Sequence, residues 1–310
     1  MRCSCGADNE PIARFCANCG AELEEPTQEL DLPDLGGAEP PPLHTIPTIR
    51  VAAKTDLGKV RENNEDKFEF YQPDDPAVIA ARGSAFVVCD GMGGAAAGQI
   101  ASELACKTFI ESYYRSKAPY FADAAAYAVR EAARYVCDVA EAVRSRQGMG
   151  STLTALLVCQ DRALVAHVGD SRCYRLSGEV FERVTTDHTL VEESVRSGLM
   201  SPAEAEHSPL AHVITRAIGT DRTTEPDLYS LEVHPGDRFL LCSDGLTNHV
   251  TDEEIRGHMT THGPSEACRR LVALALERGG SDNCTVLIAE VATLCPADTP
   301  AEGSGSRAAL

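Results

Sequence analysis

Short apolar runs bounded by turn residues fill the middle of the chain, and they predict β-strands at six places. The predicted strands are Ser84–Cys89, Ser151–Cys159, Ala163–Val168, Arg172–Leu176, Arg238–Cys242 and Cys284–Val291. Neighbouring runs are often separated only by a tight turn, such as Ser177-Gly178 before Glu179–Val184. Connections this short favour antiparallel hairpins, because parallel strands need a long crossover.

Three longer segments are predicted to be helices, and one of them shows a clear helical period. In Phe121–Arg146 the apolar residues recur at alternating spacings of four and three, which places them on one helical face. These residues are Ala125, Val129, Ala132, Val136, Val139 and Val143. Helices are also predicted for Gly98–Arg115 and Ser265–Arg278. Because strands need apolar cover, we expect a layered α+β domain with strands in the middle and helices outside.

Composition divides the chain into four regions. Residues 1–23 are rich in cysteine and are predicted to form a small metal-binding module. Residues 24–47 lie in an acidic, proline-rich stretch without lysine or arginine, which is typical of a disordered linker. Residues 48–293 hold the apolar patterns and form the predicted main domain. Residues 294–310 are predicted to be a flexible tail.

The net charge of −19 disfavours nucleic acid as a partner, because phosphate backbones need lysine and arginine. No apolar run approaches the ~18 residues that a membrane helix needs, and the polar segment Met1–Gly20 is not a secretory signal. Cysteines such as Cys89, Cys159 and Cys242 stand singly in apolar stretches, which indicates a reducing compartment rather than a disulfide framework. We therefore expect a soluble, cytoplasmic protein without membrane insertion.

Four cysteines near the N-terminus form two close pairs separated by ten residues. Cys3 and Cys5 enclose one residue, whereas Cys16 and Cys19 enclose two, and the segment Phe15–Leu23 resembles the second knuckle of a zinc ribbon. Paired thiols suit tetrahedral Zn²⁺, and so short a segment has no core without a metal. We predict a zinc-ribbon-like module that recruits a partner; the alternative is a redox-labile tail.

Five aspartates stand at the ends of apolar strands, next to small or flexible residues. They are Asp66, Asp90, Asp170, Asp244 and Asp282. Taken singly, each Asp-Gly pair is most often an ordinary turn. If the five strand ends converge, the carboxylates would raise one another's pKa until a cation cancels their charge. A ligand set of oxygen atoms alone selects Mg²⁺ or Mn²⁺ over zinc.

Six short motifs occur in one order along the chain. They are Arg61–Asp66 (RENNED), Asp90–Gly94 (DGMGG), Gly150–Thr152 (GST), Gly169–Arg172 (GDSR), Ser243–Gly245 (SDG) and Asp282-Asn283 (DN). In this order they resemble the metal-dependent protein phosphatase family (PPM, type 2C), in its bacterial form, over roughly residues 48–293. The resemblance implies a four-layer αββα sandwich of two antiparallel sheets flanked by helices.

The resemblance also implies a set of ligands for two Mn²⁺ or Mg²⁺ ions. Asp90 would bridge the two ions, and the carbonyl of Gly91 would bind one of them. Asp244 and Asp282 would complete the site of the other ion. Two neighbouring acids would act directly or through water, namely Glu65 and Asp66. On this interpretation the residues that carry catalysis are Arg61, Asp90, Asp244 and Asp282.

A third ion is implied between Asp170 and Asp244, as in bacterial members. Arg61 resembles the arginine that binds the phosphate group, because its forked guanidinium can contact two oxygens. The implied activity is hydrolysis of phosphoserine and phosphothreonine in proteins by a metal-activated water, without a phosphoenzyme. Such an enzyme would act in signalling, opposed by a serine/threonine kinase.

One departure from the family concerns the proton that the leaving oxygen needs. Animal members have a histidine directly after Asp-Gly, where this chain has Met92. A metal-bound water, His188 and His167 are the alternatives, although a structural role is the simpler interpretation of each histidine. Residues 187–218 resemble the flap of the family, a mobile segment beside the active site; the alternative is an ordinary surface insertion.

Two functions therefore stay open at the level of the sequence. The first is an active metal-dependent serine/threonine phosphoprotein phosphatase. The second is a non-catalytic, phosphatase-like scaffold that binds phosphoproteins or signalling partners. The complete set of acidic motif positions favours the enzyme, because a scaffold would be expected to lose some metal ligands.

Overall fold

A computed structural model describes residues 42–94, 96–206 and 208–297. The predicted zinc module at 1–23, most of the linker at 24–47 and most of the tail at 294–310 lie outside the described residues. Strand β1 (Thr45–Asp56) begins before the predicted domain boundary at 48, and strand β11 (Cys284–Pro296) runs past the predicted end at 293. Within the described ranges, no helix combines the length and the apolar character needed to cross a bilayer.

The strands of the described part form two antiparallel sheets, as the short connections predicted. Besides β1 and β11 they are β2 (Asp66–Tyr71), β3 (Ser84–Met92), β4 (Gly150–Ser151), β5 (Leu153–Cys159), β6 (Arg162–Val168), β7 (Arg172–Ser177), β8 (Val180–Arg183), β9 (Asp227–Glu232) and β10 (Arg238–Cys242). One sheet has the order β1-β11-β10-β7-β8. The other has the order β2-β3-β5-β6-β9, with β4 paired to β3.

The two-residue period of the strands decides which side chains lie between the sheets. On β10, Phe239 and Leu241 point into the space between the sheets, whereas Leu240 and Cys242 point toward helices on the outer face. Phe86 of β3 closes the same inter-sheet layer from the opposite sheet. Burying a side chain of this size contributes about 1.5–3 kcal/mol, so this layer holds the two sheets together.

Helices cover the outer face of each sheet and complete a four-layer αββα sandwich. The described α-helices are α1 (Pro76–Ala81), α2 (Ala96–Arg115), α3 (Phe121–Ala142), α4 (Leu190–Arg196), α5 (Pro202–Glu206), α6 (Asp244–Thr247), α7 (Asp252–Thr261) and α8 (Pro264–Glu277). Helices α2 and α3 pack together over the six-stranded sheet. Helices α7 and α8 cover the five-stranded sheet. The predicted α+β class with two antiparallel sheets is confirmed.

The pattern on α3 was predicted correctly except at its end. Ala125, Ala132 and Val136 are fully buried, as the spacing of four and three required. The helix ends at Ala142, however, and Val143 lies beyond it with 36 % of its surface exposed. The last predicted turn is replaced by a short 3₁₀ turn from Arg144 to Arg146.

Two edge strands escaped the sequence-based prediction. Strands β1 and β9 each lie at the edge of a sheet. Along β9 half-buried and exposed residues alternate, so no continuous apolar run marks the strand. Edge strands bury fewer side chains than central strands, and their sequence signal is correspondingly weaker.

Candidate active site

Strand register brings acids from distant parts of the chain to one end of the sandwich. Asp66, at the start of β2, pairs with Asp90 near the end of β3. In the other sheet Cys242, at the end of β10, pairs with Arg172 at the start of β7 and with Val286 near the start of β11. Antiparallel neighbours run in opposite directions, so the end of one strand lies beside the beginning of the next. The aspartates flanking these strands are therefore neighbours.

A cavity of about 500 Å³ opens at this end of the sandwich. Most of the residues predicted for the metal and phosphate sites line it, and these are Arg61, Glu65, Asp90, Gly91, Asp170, Asp244 and Asp282. Asp66 is the exception, because it is buried and does not form part of the wall. The convergence that the sequence left open is thus present in the structure.

Two glycines allow the chain to pack tightly around Glu65. A Cβ atom on Gly91 would lie only 2.1 Å from the carbonyl oxygen of Gly98 at the start of α2. A Cβ atom on Gly98 would lie 2.0 Å from Oε2 of Glu65. The Gly91 amide also donates to the Glu65 carbonyl at 3.2 Å. Glycine is required at Gly91 because a side chain there would meet backbone atoms, whereas a side chain at Gly98 would displace the Glu65 carboxylate from its place.

Asp66 supports the cavity from inside the protein. Its Oδ2 accepts a hydrogen bond from Ser243 Oγ at 2.6 Å, while its Oδ1 is buried without a hydrogen-bond partner. Burial raises the pKa of Asp66 to about 7, against the opposing effect of the Ser243 hydrogen bond. A buried carboxylate oxygen without a partner is costly, and a cation or a water bound to one would satisfy it.

The cavity carboxylates oppose one another's ionisation. The pKa of Asp90 is raised well above its ordinary value by burial and by the charges of Asp66 and Asp244. Burial, followed by the charge of Asp244, raises the pKa of Asp170 to about 7. Burial and the charge of Asp282 likewise raise the pKa of Asp244. A divalent cation among these groups would reverse the effect by favouring their charged forms.

The ligand chemistry of the cavity fits hard divalent ions. Five acidic side chains line the wall, and carboxylate oxygens are the ligand type that Mg²⁺ and Mn²⁺ prefer. In the described part of the chain, no group of three Asp, Glu, His or Cys side chains is close enough to coordinate one ion directly. The carboxylates instead surround a space large enough for water, and Mg²⁺ usually keeps several of its waters. The residues present therefore suit hydrated ions held by a few carboxylates.

Arg61 contacts one of the expected metal ligands directly. Its Nη2 donates to Asp282 Oδ2 at 2.6 Å, although the two residues are 221 positions apart in sequence. The other oxygen of Asp282 accepts from the Asn283 amide at 2.8 Å. The Arg61 side chain is about half exposed, so it can turn toward a ligand in the cavity. A metal on Asp282 would compete with Arg61 for the same oxygen.

Three neutral side chains hold the acidic residues in place. Thr152 Oγ1 accepts from the Asp90 amide at 2.8 Å. Asn283 Oδ1 accepts from the Glu65 amide at 2.8 Å. Ser243 Oγ lies between Asp66 and the Thr285 amide. All three stand in the six motifs, yet sequence reasoning assigned none of them a role, because a hydrogen bond to a backbone amide leaves no spacing pattern.

The two histidines considered as proton donors do not line the cavity. Burial lowers the pKa of His167 to about 3, and its ring nitrogens contact Thr154 Oγ1 and the Thr186 carbonyl. His188 is also buried, and its Nδ1 accepts from the Gly169 amide. The histidine in the cavity wall is His212, which the sequence did not single out for this position.

Residues 187–218, called the flap below, form an excursion beside the cavity. The segment contains α4 and α5, and an antiparallel bridge between Thr189 and Ile214 closes its base. Its returning half carries Ile214 and the exposed His212, whose Nδ1 lies 3.9 Å from Asp244 Oδ2. This position fits a segment that shapes access to the cavity better than a remote surface insertion.

A family model described as "Protein phosphatase 2C" matches residues 59–274. The chain is 37 % identical over 243 residues to the serine/threonine protein phosphatase PstP of Mycobacterium tuberculosis, which corresponds to 78 % of this chain and 45 % of PstP. It is 34 % identical over 242 residues to the serine/threonine phosphatase stp of Listeria monocytogenes, which corresponds to 76 % of this chain and 94 % of that protein. The chain thus spans about half the length of the mycobacterial relative.

Solved structures show the same architecture. The S. agalactiae serine/threonine phosphatase superimposes with a TM-score of 0.72 at 30 % identity, covering 79 % of this chain and 100 % of that one. The catalytic domain of PstP in complex with two manganese ions superimposes with a TM-score of 0.67 at 37 % identity, covering 79 % of this chain and 99 % of that one.

The substitution Asp90→Asn is expected to stabilise the metal-free protein at pH 8, because it removes a buried carboxylate that the neighbouring carboxylates also repel. Folding raises the pKa of the Asp90 carboxyl, so the protonated form of this group favours the folded state. As the pH rises from the pKa of the unfolded chain to the raised pKa of the folded protein, this contribution to stability is lost. The advantage of Asp90→Asn should therefore shrink as the pH falls. Thermal unfolding of both proteins in the presence of a chelator, measured over a range of pH, checks this. The buried histidines contribute the same pH dependence to both proteins, so their effect cancels in the difference.

Addition of Mn²⁺ is expected to make the wild-type protein more stable than Asp90→Asn, which reverses the order expected with a chelator. An ion at a hundredfold excess over its dissociation constant stabilises the folded state by about 2.7 kcal/mol, and Asp90→Asn should lose most of that gain. A chelated Asp90→Asn protein no more stable than wild type at pH 8 would contradict the repulsion described here.

Proposed function

The chain belongs to the protein phosphatase 2C family, and from this premise we propose that it hydrolyses phosphoserine and phosphothreonine monoesters in proteins. One observation carries the proposal. Acids from both sheets and the guanidinium of Arg61 converge on one open cavity at the end of the sandwich. Relatives with 33–37 % identity over most of this chain are named serine/threonine or protein phosphatases, which supports the same substrate class.

We propose that the cavity holds two Mn²⁺ or Mg²⁺ ions. Asp90 would be a ligand of both ions, the Gly91 carbonyl would bind one of them, and Asp244 and Asp282 would complete the site of the other. The nearby acids Glu65 and Asp66 would act directly or through water. When bound, such ions lower the pKa of a water molecule toward neutrality and offset the charge of the phosphoryl group. The PstP structure with two manganese ions supports this assignment by similarity.

A third ion between Asp170 and Asp244 is a further part of the proposal. The pKa of both carboxyls is raised, and burial is the first cause in each. Both line the cavity, and Asp244 Oδ2 lies 3.9 Å from Nδ1 of His212 in the returning half of the flap.

Arg61 is proposed to bind two phosphoryl oxygens through its forked guanidinium. Its present partner, Asp282 Oδ2, is also a proposed metal ligand. A metal on Asp282 would release Arg61 for the substrate, so the metal and the phosphate group should favour each other's binding. His212, which also lines the cavity, can donate a further hydrogen bond to a substrate oxygen.

A non-catalytic scaffold that binds phosphoproteins stays the second candidate function. It would use the same cavity but would not need its metal ligands. Every acidic position implied by the family resemblance is present, which favours the enzyme.

The substitutions Asp90→Asn and Asp244→Asn are expected to reduce phosphate release from a phosphothreonine peptide with Mn²⁺ by at least about 100-fold, the scale on which losing one charge-stabilising group acts. The exposed Asp74→Asn is the matched control and should retain full activity. Circular dichroism would verify that each variant folds. Retained turnover in either cavity variant would contradict the metal assignment, and a wild-type protein that binds Mn²⁺ without releasing phosphate would favour the scaffold.

The substitution Arg61→Ala is expected to raise the KM for a small aryl phosphate by about 10- to 100-fold, from the loss of charge-assisted hydrogen bonds worth about 1.5–3 kcal/mol. It should also tighten Mn²⁺ binding, because Asp282 loses a competing cation. Arg61→Lys keeps the charge without the fork and should recover only part of the affinity for the substrate. Steady-state kinetics and calorimetric Mn²⁺ titration measure both effects; an unchanged KM would remove Arg61 from the phosphate site.

We propose three further properties that rest on the sequence. Residues 1–23 bind Zn²⁺ through a four-cysteine set comprising Cys3, Cys5, Cys16 and Cys19, and this module recruits a partner. The protein acts in the cytoplasm, which the eight buried free cysteines of the described part support. A serine/threonine kinase opposes it in signalling.

Metal analysis of the purified full-length chain is expected to find about one zinc per molecule, the stoichiometry of a four-cysteine site. The double substitution Cys16→Ser with Cys19→Ser should remove this zinc and leave hydrolysis of small aryl phosphates unchanged. Cys295→Ser, an exposed cysteine at the end of β11, is the control and should retain zinc. Zinc retained by the double variant would show that the assigned cysteines are wrong.

A further inference from the structure

His188 holds both backbone polar groups of Gly169, the residue that precedes Asp170 in the cavity wall. The His188 amide donates to the Gly169 carbonyl at 2.7 Å, and the Gly169 amide donates to His188 Nδ1 at 3.0 Å. Gly169 has a φ angle of +110°, which few residues other than glycine adopt. Its turn therefore has little stiffness of its own, and the two hydrogen bonds set the direction in which Asp170 leaves it.

The same histidine is bonded to the returning half of the flap. The Thr215 amide donates to the His188 carbonyl at 2.8 Å. On the ring, Nε2 lies 3.2 Å from Asp227 Oδ2, and Arg216 Nη1 donates to Asp227 Oδ1 at 2.6 Å. Because Nδ1 accepts from a backbone amide, Nε2 carries the proton and donates to Asp227. Both nitrogens of the neutral His188 ring thus make hydrogen bonds, one as acceptor and one as donor.

Packing alone does not explain a histidine at this position. The His188 side chain is buried, with its ring centroid 4.8 Å from that of His167. Burying a polar ring costs free energy unless its nitrogens are bonded, and an apolar side chain would fill the space without that cost. The two hydrogen-bond partners of the ring belong to different segments. Gly169 lies in the turn that bears Asp170, and Asp227 is bonded to Arg216 in the returning half of the flap.

We propose that His188, at the base of the flap, is a positioning residue that couples the Gly169-Asp170 turn to the returning half of the flap, residues 213–216. Through His188, the turn that bears Asp170 and the segment that carries His212 keep a fixed position relative to each other in the cavity wall. The consequence for catalysis rests on the proposed function, whereas the coupling itself is a property of the metal-free protein.

Two substitutions of the ring separate its two side-chain hydrogen bonds. In His188→Asn the amide oxygen takes the place of Nδ1 and can accept from Gly169, but the side chain is too short to reach Asp227. In His188→Gln the amide group takes the place of Nε2 and can donate to Asp227, but the Gly169 amide loses its acceptor. Both variants keep a polar side chain that is no larger than the original.

Hydrogen exchange of the metal-free proteins is the first measurement. His188→Gln should speed exchange in the Gly169-Asp170 turn about five- to tenfold, since losing one hydrogen bond lowers the free energy of local opening. His188→Asn should leave this turn protected and speed exchange in residues 213–216 to a similar degree. Equal loosening of both segments in both variants, or no change in either, would overturn the proposal.

Metal binding and kinetics form the second measurement. Calorimetric titration should show the weakest Mn²⁺ site of His188→Gln weakened by about tenfold, the effect typical of losing a partner that orients a ligand, and that of His188→Asn unchanged. His188→Asn should instead raise the KM for a phosphothreonine peptide while kcat on a small aryl phosphate stays constant. Absence of phosphate release in wild type would defeat the proposed function, while exchange and titration would still decide the coupling.

A second pair of variants covers the case in which the ring substitutions fail to fold. Asp227→Asn leaves the ring in place, weakens its link to Arg216 and should loosen the flap alone. Glu225→Gln is the matched control, because Glu225 is an exposed acid that pairs with Arg130, and it should change neither segment. Unchanged exchange in the flap of Asp227→Asn, or the same loosening in Glu225→Gln, would overturn the proposal.

Discussion

Mutual repulsion among buried carboxylates at one end of the sandwich is the constraint on which the rest of this structure depends. Asp66, Asp90, Asp170 and Asp244 all have raised pKa values, and burial and the neighbouring charges cause the shifts. The ion pair between Arg61 and Asp282 and the charge of Arg172 near Asp170 offset this negative charge only in part. A site of this kind is held together by the rest of the fold until cations enter it.

The two sheets supply that support. The inter-sheet layer around Phe239 and Leu241 fixes the strands, and strand register then fixes where each aspartate emerges. Neutral hydrogen-bonding side chains, among them Thr152 and Asn283, hold the backbone of the acidic residues without adding charge. A rigid scaffold with a charged end can bind and release ions without unfolding, which is what a metal-dependent hydrolase requires.

The flap adds a second level of organisation. It reaches the cavity through His212 and Ile214, and its base is bonded to the turn that presents Asp170 through His188. Substrate access and one acidic wall of the cavity are therefore connected by one buried ring. On the proposed function, such a connection would let a protein substrate that contacts the flap influence the carboxylates, while a small phosphate ester would depend mainly on the cavity itself.

The sequence by itself determined the central strands, the three long helices and the chemical type of the site, because side-chain periodicity and glycine-flanked aspartates are local properties. The order of the six motifs indicated the family. Only the tertiary structure decided which side chains meet. It paired Arg61 with Asp282, left Asp66 Oδ1 without a partner, and placed His212 in the wall while burying His167 and His188. These outcomes depend on the register between strands far apart in sequence, and no local pattern records that register.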